Sequence, residues 1–126
     1  MPRILIIDDE AQIRLMLRMT FEDEDFEVVE ASNGAEGIEL FTNNPTDCVI
    51  TDIIMPEKEG IETILELKKL DPELKIIAIS GGGKSSPDDY LAAAERLGAD
   101  RTFFKPIDRA ELVTAVRELL KCEQTS

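Results

Sequence analysis

Short apolar runs alternate along the chain with longer segments in which apolar residues recur every three or four positions. The runs have the length and composition of buried strands, and the longer segments have the period of helices that cover a sheet on one side. The predicted strands are Ile4–Ile7, Val28–Ala31, Cys48–Ile50, Ile76–Ile79 and Thr102–Phe104. A helical segment follows each of them.

Each helical segment has one predicted apolar face. Ser86 before Pro87 is typical of a helix start, and Gly98 of a helix end. Asn33 and Asp108 are predicted to open two further helices. The faces, in chain order, are Ile13, Met16, Leu17 and Thr20; Ala35, Ile38 and Phe41; Ile61, Ile64 and Leu65; Leu91, Ala94 and Leu97; and Leu112, Val116, Leu119 and Leu120.

Near-continuous apolar strands flanked by helices are typical of a parallel sheet that is covered on both faces. The sequence therefore predicts an α/β fold, a doubly wound five-stranded parallel sheet of the flavodoxin-like (βα)5 type. The length of 126 residues suits one domain. We expect that domain to span residues 1–122, with a short tail at 123–126.

Composition narrows the classes of function. The net charge is −13 and the pI is near 4.3, which argues against nucleic-acid or anionic-membrane partners because these need basic patches. No uncharged stretch approaches the ~20 residues of a membrane span, and no secretory signal is visible. Cys48 is predicted to be a core thiol, and a cytoplasmic protein is expected. The chain has no histidine, which excludes histidine-based catalysis, histidine-ligated zinc and a histidine phosphoacceptor on this chain.

Polar side chains follow four of the five predicted strands. Open parallel sheets bind ligands at the carboxyl ends of their strands, so these residues should converge at one edge. Taken singly, each has an ordinary structural explanation as a helix cap, a turn residue or a solvated lysine. The residues are Asp8, Asp9 and Glu10 after the first run, Asp52 after the third, Ser80 after the fourth and Lys105 after the fifth.

Taken together, these residues indicate a phosphoryl-transfer site. Converging carboxylates repel one another, and a cation is the simplest compensation. Oxygen ligands suit Mg²⁺, which leaves coordination positions for a phosphate. Lys105 and the Ser80 hydroxyl would then contact phosphate oxygens, with one of the carboxylates as the nucleophile.

At this point the chain resembles the response-regulator receiver domains of two-component signalling. The resemblance covers nearly the whole chain. The matching motifs, in order, are ILIIDDE (4–10), VITDIIMPEKEG (49–60), IIAISG (76–81), LGAD (97–100) and FKP (104–106).

The resemblance implies a role for each site residue. Asp52 would be the phosphoacceptor and would form an aspartyl phosphate. Lys105 would pair with Asp52 or its phosphate, and Ser80 would bond a phosphoryl oxygen. Pro56 and Gly60 would shape the loop after Asp52, and Lys105–Pro106 would be a cis peptide. The Mg²⁺ ligands would be Asp8, Asp9, Asp52 and the backbone carbonyl of Ile54.

The resemblance also implies partners. The phosphodonor would be a phosphohistidine on a sensor histidine kinase or a histidine phosphotransfer protein. The output would be an unidentified protein contact or onward transfer of the phosphoryl group. The chain would be a self-phosphorylating signalling domain rather than a turnover enzyme. Because few residues follow the last predicted helix, we expect a stand-alone receiver. It would be a monomer or a weak homodimer whose contact face would include Tyr90, Glu95, Arg101 and Arg117.

Three features depart from the family pattern. Thr102 stands where the family usually has an aromatic residue, and Phe103 should point to the opposite face of its strand. The glycine-rich segment Ser80–Ser86 looks longer than usual and is consistent with a mobile output loop or a plain connector. Neither Ile54 nor Gly82 can orient a water molecule, so rapid built-in dephosphorylation is not expected.

Three other functions remain open at the level of sequence. A receiver fold that is never phosphorylated could act as a constitutive interaction module, although it would not need all the site residues. A small Mg²⁺-dependent phosphatase would use Asp52 as nucleophile, but Ile54 stands where such enzymes place a second aspartate. A flavodoxin-like cofactor binder would need a hydroxyl-rich phosphate loop after the first strand, where this chain has acids.

Overall fold

The chain forms a parallel sheet with helices on both faces. The computed structural model describes residues 2–53, 59–80, 92, 95–96 and 98–124. The strands are β1 (Arg3–Ile7), β2 (Glu27–Ala31), β3 (Cys48–Asp52), β4 (Lys75–Ser80) and β5 (Arg101–Phe104), and the helices are α1 (Ala11–Asp23), α2 (Gly34–Asn43), α3 (Glu59–Leu70) and α4 (Arg109–Gln124). The strand order is β2-β1-β3-β4-β5, and every pair is parallel. The predicted fold class is confirmed.

Alternation along β1 divides the core into two layers. Ile4 and Ile6 belong to the apolar cluster beneath α1 and α4, whereas Leu5 and Ile7 belong to the cluster beneath α2 and α3. All four side chains are fully buried. Successive strand residues point to opposite faces, so a strand covered on both sides must be apolar throughout. This is why the strands were recognisable as uninterrupted apolar runs.

The predicted helix faces are correct for α1 and α4 and partly wrong for α2 and α3. In α2, Ala35 is exposed, and Gly37 is buried instead. A Cβ atom at Gly37 would lie 2.8 Å from Cγ1 of Ile7, so the helix approaches β1 along its glycines. In α3, Leu65 is 39% exposed, although Ile64 beside it is fully buried. A count of large apolar residues cannot find a face that is built on glycine.

Two helix starts match the sequence signals. The Asn33 side chain accepts a hydrogen bond from the backbone N–H of Glu36 at 2.8 Å, and Asp108 accepts one from Glu111 at 3.1 Å. These are N-caps of α2 and α4. Gly98 has a φ of +126°, a backbone conformation that residues other than glycine rarely adopt. The helix that Gly98 was predicted to end lies mostly outside the described residues.

The sheet reverses its winding direction between β1 and β3. β2 lies on one side of β1 and β3 on the other, and open α/β sheets form their ligand crevice at such a point, at the carboxyl ends of the strands. The register pairs Ile7 with Thr51. The next residues, Asp8 just after β1 and Asp52 at the end of β3, therefore lie side by side.

Cys48 is a buried free thiol, as predicted, and burial raises the pKa of that thiol. The helices described in the structure include none with the length and apolar character needed to cross a bilayer.

Candidate functional site

Four carboxylates converge at the carboxyl edge of the sheet. Asp8, Asp9, Glu10 and Asp52 each offer one oxygen atom, and these atoms all lie within 4.8 Å of one another. Asp8 and Asp52 are buried, whereas Asp9 and Glu10 are exposed. The cluster therefore runs from the end of the sheet out to the surface.

The turn after β1 fixes the position of Asp8. Its Oδ1 accepts a hydrogen bond from the backbone N–H of Glu10 at 2.8 Å, and its own N–H donates to the carbonyl of Ala31 at 3.2 Å. Arg14, on the first turn of α1, donates from Nη1 to the carbonyl oxygen of Asp8 at 2.7 Å. The same guanidinium lies 3.4 Å from Glu30 on β2. Asp8 thus spans a turn and does not cap α1, where Glu10 is the N-cap residue.

Asp52 is held at the end of β3 by the elements on either side. The backbone N–H of Ile53 donates to the carbonyl of Ile79 at 3.0 Å, which continues the ladder just beyond Asp52. Gly60, near the start of α3, approaches from the other side. A Cβ atom there would lie 2.7 Å from the carbonyl oxygen of Asp52. Only glycine allows α3 to begin this close to the strand end.

Lys105 is the cation that contacts this cluster within the described residues. Its Nζ lies 3.0 Å from Asp52 Oδ2, 3.0 Å from Glu10 Oε1 and 3.2 Å from Asp8 Oδ2. Nζ donates hydrogen bonds to Asp52 and Glu10 and forms an ion pair with Asp8. A new anion at Lys105 would therefore compete with these three carboxylates.

Ser80 ends β4, next to β3, with its side chain fully buried. The backbone N–H of Lys105 donates to the carbonyl of Ser80 at 2.9 Å, which ties the end of β4 to the lysine. The Lys105–Pro106 peptide is cis, as the resemblance implies. The Ser80 hydroxyl has no hydrogen-bond partner in the part of the chain that the structure describes. A buried hydroxyl without a partner is costly, so it points to a ligand that supplies one.

The electrostatics of the cluster reflect burial and crowding. Burial raises the pKa of Asp8 to about 6, and the charge of Asp52 adds to this rise, against the opposing effects of the Glu10 N–H and of Lys105. Burial on its own would lower the pKa of Lys105. The hydrogen bond and charge of Asp52, helped by Glu10 and Asp8, outweigh it and raise that pKa above its usual range. Lys105 is therefore a permanent cation near neutral pH.

The donor set fits a hard divalent cation. All four candidate ligand groups are carboxylates, which Mg²⁺ and Ca²⁺ prefer over nitrogen or sulfur. Lys105 offsets only part of their negative charge. A divalent cation would offset most of the remainder and would relieve the repulsion between Asp8 and Asp52.

Comparison with known proteins identifies the family. The model of the response regulator receiver domain matches residues 4–117. The chain belongs to the response regulator receiver domain family.

Relatives and solved structures agree with this assignment. The transcriptional regulatory protein SrrA of Staphylococcus aureus is 37% identical over 123 residues, and PrrA of Mycobacterium tuberculosis is 35% identical over 120 residues. These matches cover 98% and 95% of this chain but 49% and 50% of the relatives, so the chain spans about half their length. A receiver domain protein from Clostridium thermocellum has a TM-score of 0.90 at 31% identity, over 99% of this chain and 98% of that one. A CheY-like receiver domain protein from Methanospirillum hungatei has a TM-score of 0.89 at 29% identity, over 100% and 99%.

Within this receiver domain, most of the predicted site residues come together. Asp8, Asp9 and Asp52 share one cluster, Lys105 contacts two of them, and Ser80 lies against the backbone of Lys105. The predicted ligand Ile54 lies outside the described residues. So do Gly82 and the rest of the glycine-rich segment after Ser80.

Two contacts of the receiver site were not foreseen. The sequence places Glu10 at a strand end without a role in the site, yet Glu10 contacts Lys105 and belongs to the acidic cluster. The sequence pattern gives Arg14 no role, yet its guanidinium binds the carbonyl of Asp8. Glu10 could have been found from its place directly after the two aspartates. The contact of Arg14 with a backbone oxygen leaves no signal in the sequence.

The aromatic residues of β5 lie as the strand alternation predicts. Phe103 packs against the core cluster beneath α1 and α4, whereas Thr102 pairs with Ala78, which belongs to the opposite cluster. Phe103 therefore cannot take the place of an aromatic residue at Thr102. Phe104, on the same face as Thr102, pairs with Ser80 in the register and is 50% exposed.

Proposed function

We propose that this receiver domain accepts a phosphoryl group on Asp52 from a phosphohistidine of a partner protein, with Mg²⁺ bound by the acidic cluster. The partner would be a sensor histidine kinase or a histidine phosphotransfer protein. One observation carries the proposal. A buried carboxylate, Asp52, lies 3.0 Å from a lysine at the centre of a cluster whose ligand set fits a divalent cation.

In the proposed reaction, an oxygen of Asp52 attacks the phosphorus atom of the donor. The O–P bond forms as the P–N bond breaks, and the electron pair stays on the nitrogen of the leaving imidazole. Lys105 is positioned to exchange a carboxylate partner for a phosphoryl oxygen and to offset its charge. Mg²⁺, when bound by Asp8, Asp9 and Asp52, would supply positive charge to the phosphoryl oxygens. The work of the protein is then mostly positioning and charge neutralisation.

The buried hydroxyl of Ser80 would act after transfer. It lacks a partner among the described residues, and a phosphoryl group on Asp52 would offer oxygen acceptors close by. Forming that bond, together with the bond from Lys105, would favour a second conformation of the strand ends. A few kcal/mol of differential interaction shifts such an equilibrium substantially. The result is a signal read by another protein and not a released product, so the chain would not be a turnover enzyme.

The absence of a nucleic-acid partner stays a prediction for these residues and rests on the net charge of −13. The names of SrrA and PrrA describe those proteins as transcriptional regulators.

Mapping the phosphoryl group tests the proposal. The chain is phosphorylated with a phosphorylated histidine phosphotransfer domain, reduced with borohydride and digested, so that an aspartyl phosphate appears as homoserine in the peptide mass. We expect the conversion at Asp52 alone, and only when Mg²⁺ is present. Conversion at Asp8 or Asp9 instead would contradict the assignment of the nucleophile.

A further inference from the structure

Glu10 is the exposed partner of Lys105 among the described residues of the site. Its side chain is 61% exposed, whereas those of Lys105, Asp52 and Asp8 are 15%, 4% and 2% exposed. A donor molecule approaching Asp52 from solvent therefore meets the carboxylate of Glu10 before the buried groups. Its position at the mouth of the site makes Glu10 a candidate for selecting among donors.

Glu10 also forms one of the three close ion pairs of Lys105. The other two go to buried carboxylates, and the bond to Glu10 is 3.0 Å long. An incoming phosphoryl oxygen would compete with these partners for the ammonium group. Glu10 is the partner released with least desolvation cost, because its carboxylate is already largely in water. When it is released, its charge stays within reach of the leaving group.

Resting on the proposed function, we propose that Glu10 is a specificity-determining residue that disfavours phosphodonors with an anionic leaving group relative to donors that release a neutral nitrogen base. The selected class is the N-phosphoryl donors, which include phosphohistidine. The disfavoured class is the acyl phosphates.

The chemistry of the two classes differs in the charge that departs. In an N-phosphoryl donor the P–N bond breaks and its electron pair stays on the nitrogen. The leaving group is neutral because the donor already carries the balancing proton, on the amine nitrogen itself in phosphoramidate and on the other ring nitrogen in a phosphohistidine. In an acyl phosphate the P–O bond breaks, the electron pair stays on the carboxylate oxygen, and no proton is needed because the group leaves as an anion. A fixed negative charge at the mouth repels the second leaving group as its charge develops. It also repels the more highly charged acyl phosphate during approach.

Two small donors isolate this effect. Acetyl phosphate is the acyl phosphate, and phosphoramidate is the N-phosphoryl donor. The rate constant for phosphorylation of Asp52 is measured with each donor, at low and high ionic strength, in the wild type, Glu10→Gln, Glu10→Asp and Glu66→Gln. Glu66 is an exposed glutamate of α3 and controls for net charge. Calorimetric titration with Mg²⁺ sets the saturating concentration for each variant.

Glu10→Gln should raise the ratio of the acetyl phosphate rate to the phosphoramidate rate by about five-fold at low ionic strength. The increase should shrink with added salt, because a charge effect at the surface is screened. Glu10→Asp and Glu66→Gln should keep the wild-type ratio. The Mg²⁺ affinity of Glu10→Gln should fall a few-fold because one nearby carboxylate is lost. At saturating Mg²⁺ this loss affects both donors equally and leaves their rate ratio unchanged.

The outcomes separate the inference from the proposed function. An unchanged donor ratio in Glu10→Gln, with Asp52 still phosphorylated by both donors, would overturn the role of Glu10 and leave the proposed function standing. An equal change in Glu66→Gln would also overturn it, since net charge would then be the cause. If neither the wild type nor any variant gained a phosphoryl group on Asp52, both the proposed function and the inference would be wrong.

Discussion

The middle of the sheet and its carboxyl edge bury opposite kinds of side chain, apolar in the middle and polar at the edge. In the middle, Ile6, Ile50 and Ile77 are fully buried apolar side chains beneath α1 and α4, and the strand backbones pair with one another. At the edge, where these strands end, the buried side chains are Asp8, Asp52 and Ser80. The same strands therefore pass from a fully satisfied interior to a crowded polar end within two or three residues.

The residues that stabilise the fold are therefore different from the residues that could carry out chemistry. Apolar burial in the middle supplies the favourable free energy of folding. The edge carries repelling carboxylates and a hydroxyl that is unpaired within the described residues, both of which oppose folding. Buried polar groups that destabilise a fold and are nevertheless retained are typical of sites that bind charged ligands. Substitutions in the two regions should therefore have opposite effects on stability.

The largest effect is expected in the middle. Ile50→Ala should lower the free energy of unfolding by about 2–5 kcal/mol, because it leaves a cavity among fully buried neighbours. Urea unfolding measures this loss. The Mg²⁺ affinity of the folded variant should stay within a factor of about two.

Ile50→Val is the milder companion variant, with an expected loss of about 0.5–1.5 kcal/mol. If either variant stayed folded but no longer bound Mg²⁺, the two regions would not be independent and the contrast would fail.

Next comes the lysine at the edge. Lys105→Gln should slow phosphorylation of Asp52 by about 100-fold at saturating Mg²⁺, because it removes the charge that offsets the phosphoryl oxygens. It should also strengthen Mg²⁺ binding, since Lys105 and the metal compete for the same carboxylates. The rate of phosphorylation by phosphoramidate measures the first change, and calorimetric titration with Mg²⁺ measures the second. Lys69→Gln, at an exposed position of α3, is the control. Weaker Mg²⁺ binding in Lys105→Gln would show that the lysine supports the metal site and does not compete with it.

A smaller and opposite effect is expected at Asp8. Its pKa of about 6 in the folded chain is above the ordinary value of 3.8, so the folded state binds the proton more tightly than the unfolded state does. The stability that this group contributes is present at low pH and is lost as the pH rises through about 6. In metal-free buffer at pH 7, Asp8→Asn should therefore raise the free energy of unfolding by about 1–3 kcal/mol. The gain should shrink at pH 5, and Mg²⁺ should stabilise the wild type but not the variant.

Asp71 provides a matched control for Asp8. It makes the same local turn, accepting a hydrogen bond from the N–H of Glu73 at 3.0 Å, but it lies outside the acidic cluster. Asp71→Asn should change neither the pH dependence nor the response to Mg²⁺. A pH profile of Asp8→Asn that runs parallel to the wild type would contradict the raised pKa.

The smallest expected effect compares two buried hydroxyls. Ser80→Ala should raise the free energy of unfolding by about 1 kcal/mol, because the hydroxyl is buried and unpaired in the described structure. The hydroxyl of Thr51, on the neighbouring strand, donates to the carbonyl of Asp52 at 3.1 Å. Thr51→Val should therefore lower stability by a similar amount of about 1 kcal/mol. Thermal unfolding of both variants measures the pair, and a loss of stability in Ser80→Ala would show that its hydroxyl already has a partner.

Sequence patterns predicted the middle of the sheet better than its edge, for a physical reason. Burial on both faces forces every residue of a central strand to be apolar, so β1 and β4 could be recognised without any tertiary information. Topology then brought Asp8 and Asp52 together, because parallel strands end at one edge. The glycine face of α2 escaped notice because Gly37 contributes close approach and not apolar area.

The contacts between the site residues were less predictable than the identities of those residues. The bond between Glu10 and Lys105 joins residues 95 positions apart and depends on the conformations of two long side chains. Arg14 binds a backbone carbonyl, which every residue possesses. Neither contact follows from residue type and spacing alone, and the first of them carries the inference about donor selection.

Intact mass after incubation with a small phosphodonor tests the central claim most directly. Wild type and Asp52→Asn are each treated with phosphoramidate, with Mg²⁺ and with a chelator. The predicted result is the added mass of one phosphoryl group on the wild type with Mg²⁺, and no addition in the other three samples. Equal addition to Asp52→Asn, or addition to the wild type in the presence of the chelator, would contradict a metal-dependent phosphoacceptor at Asp52.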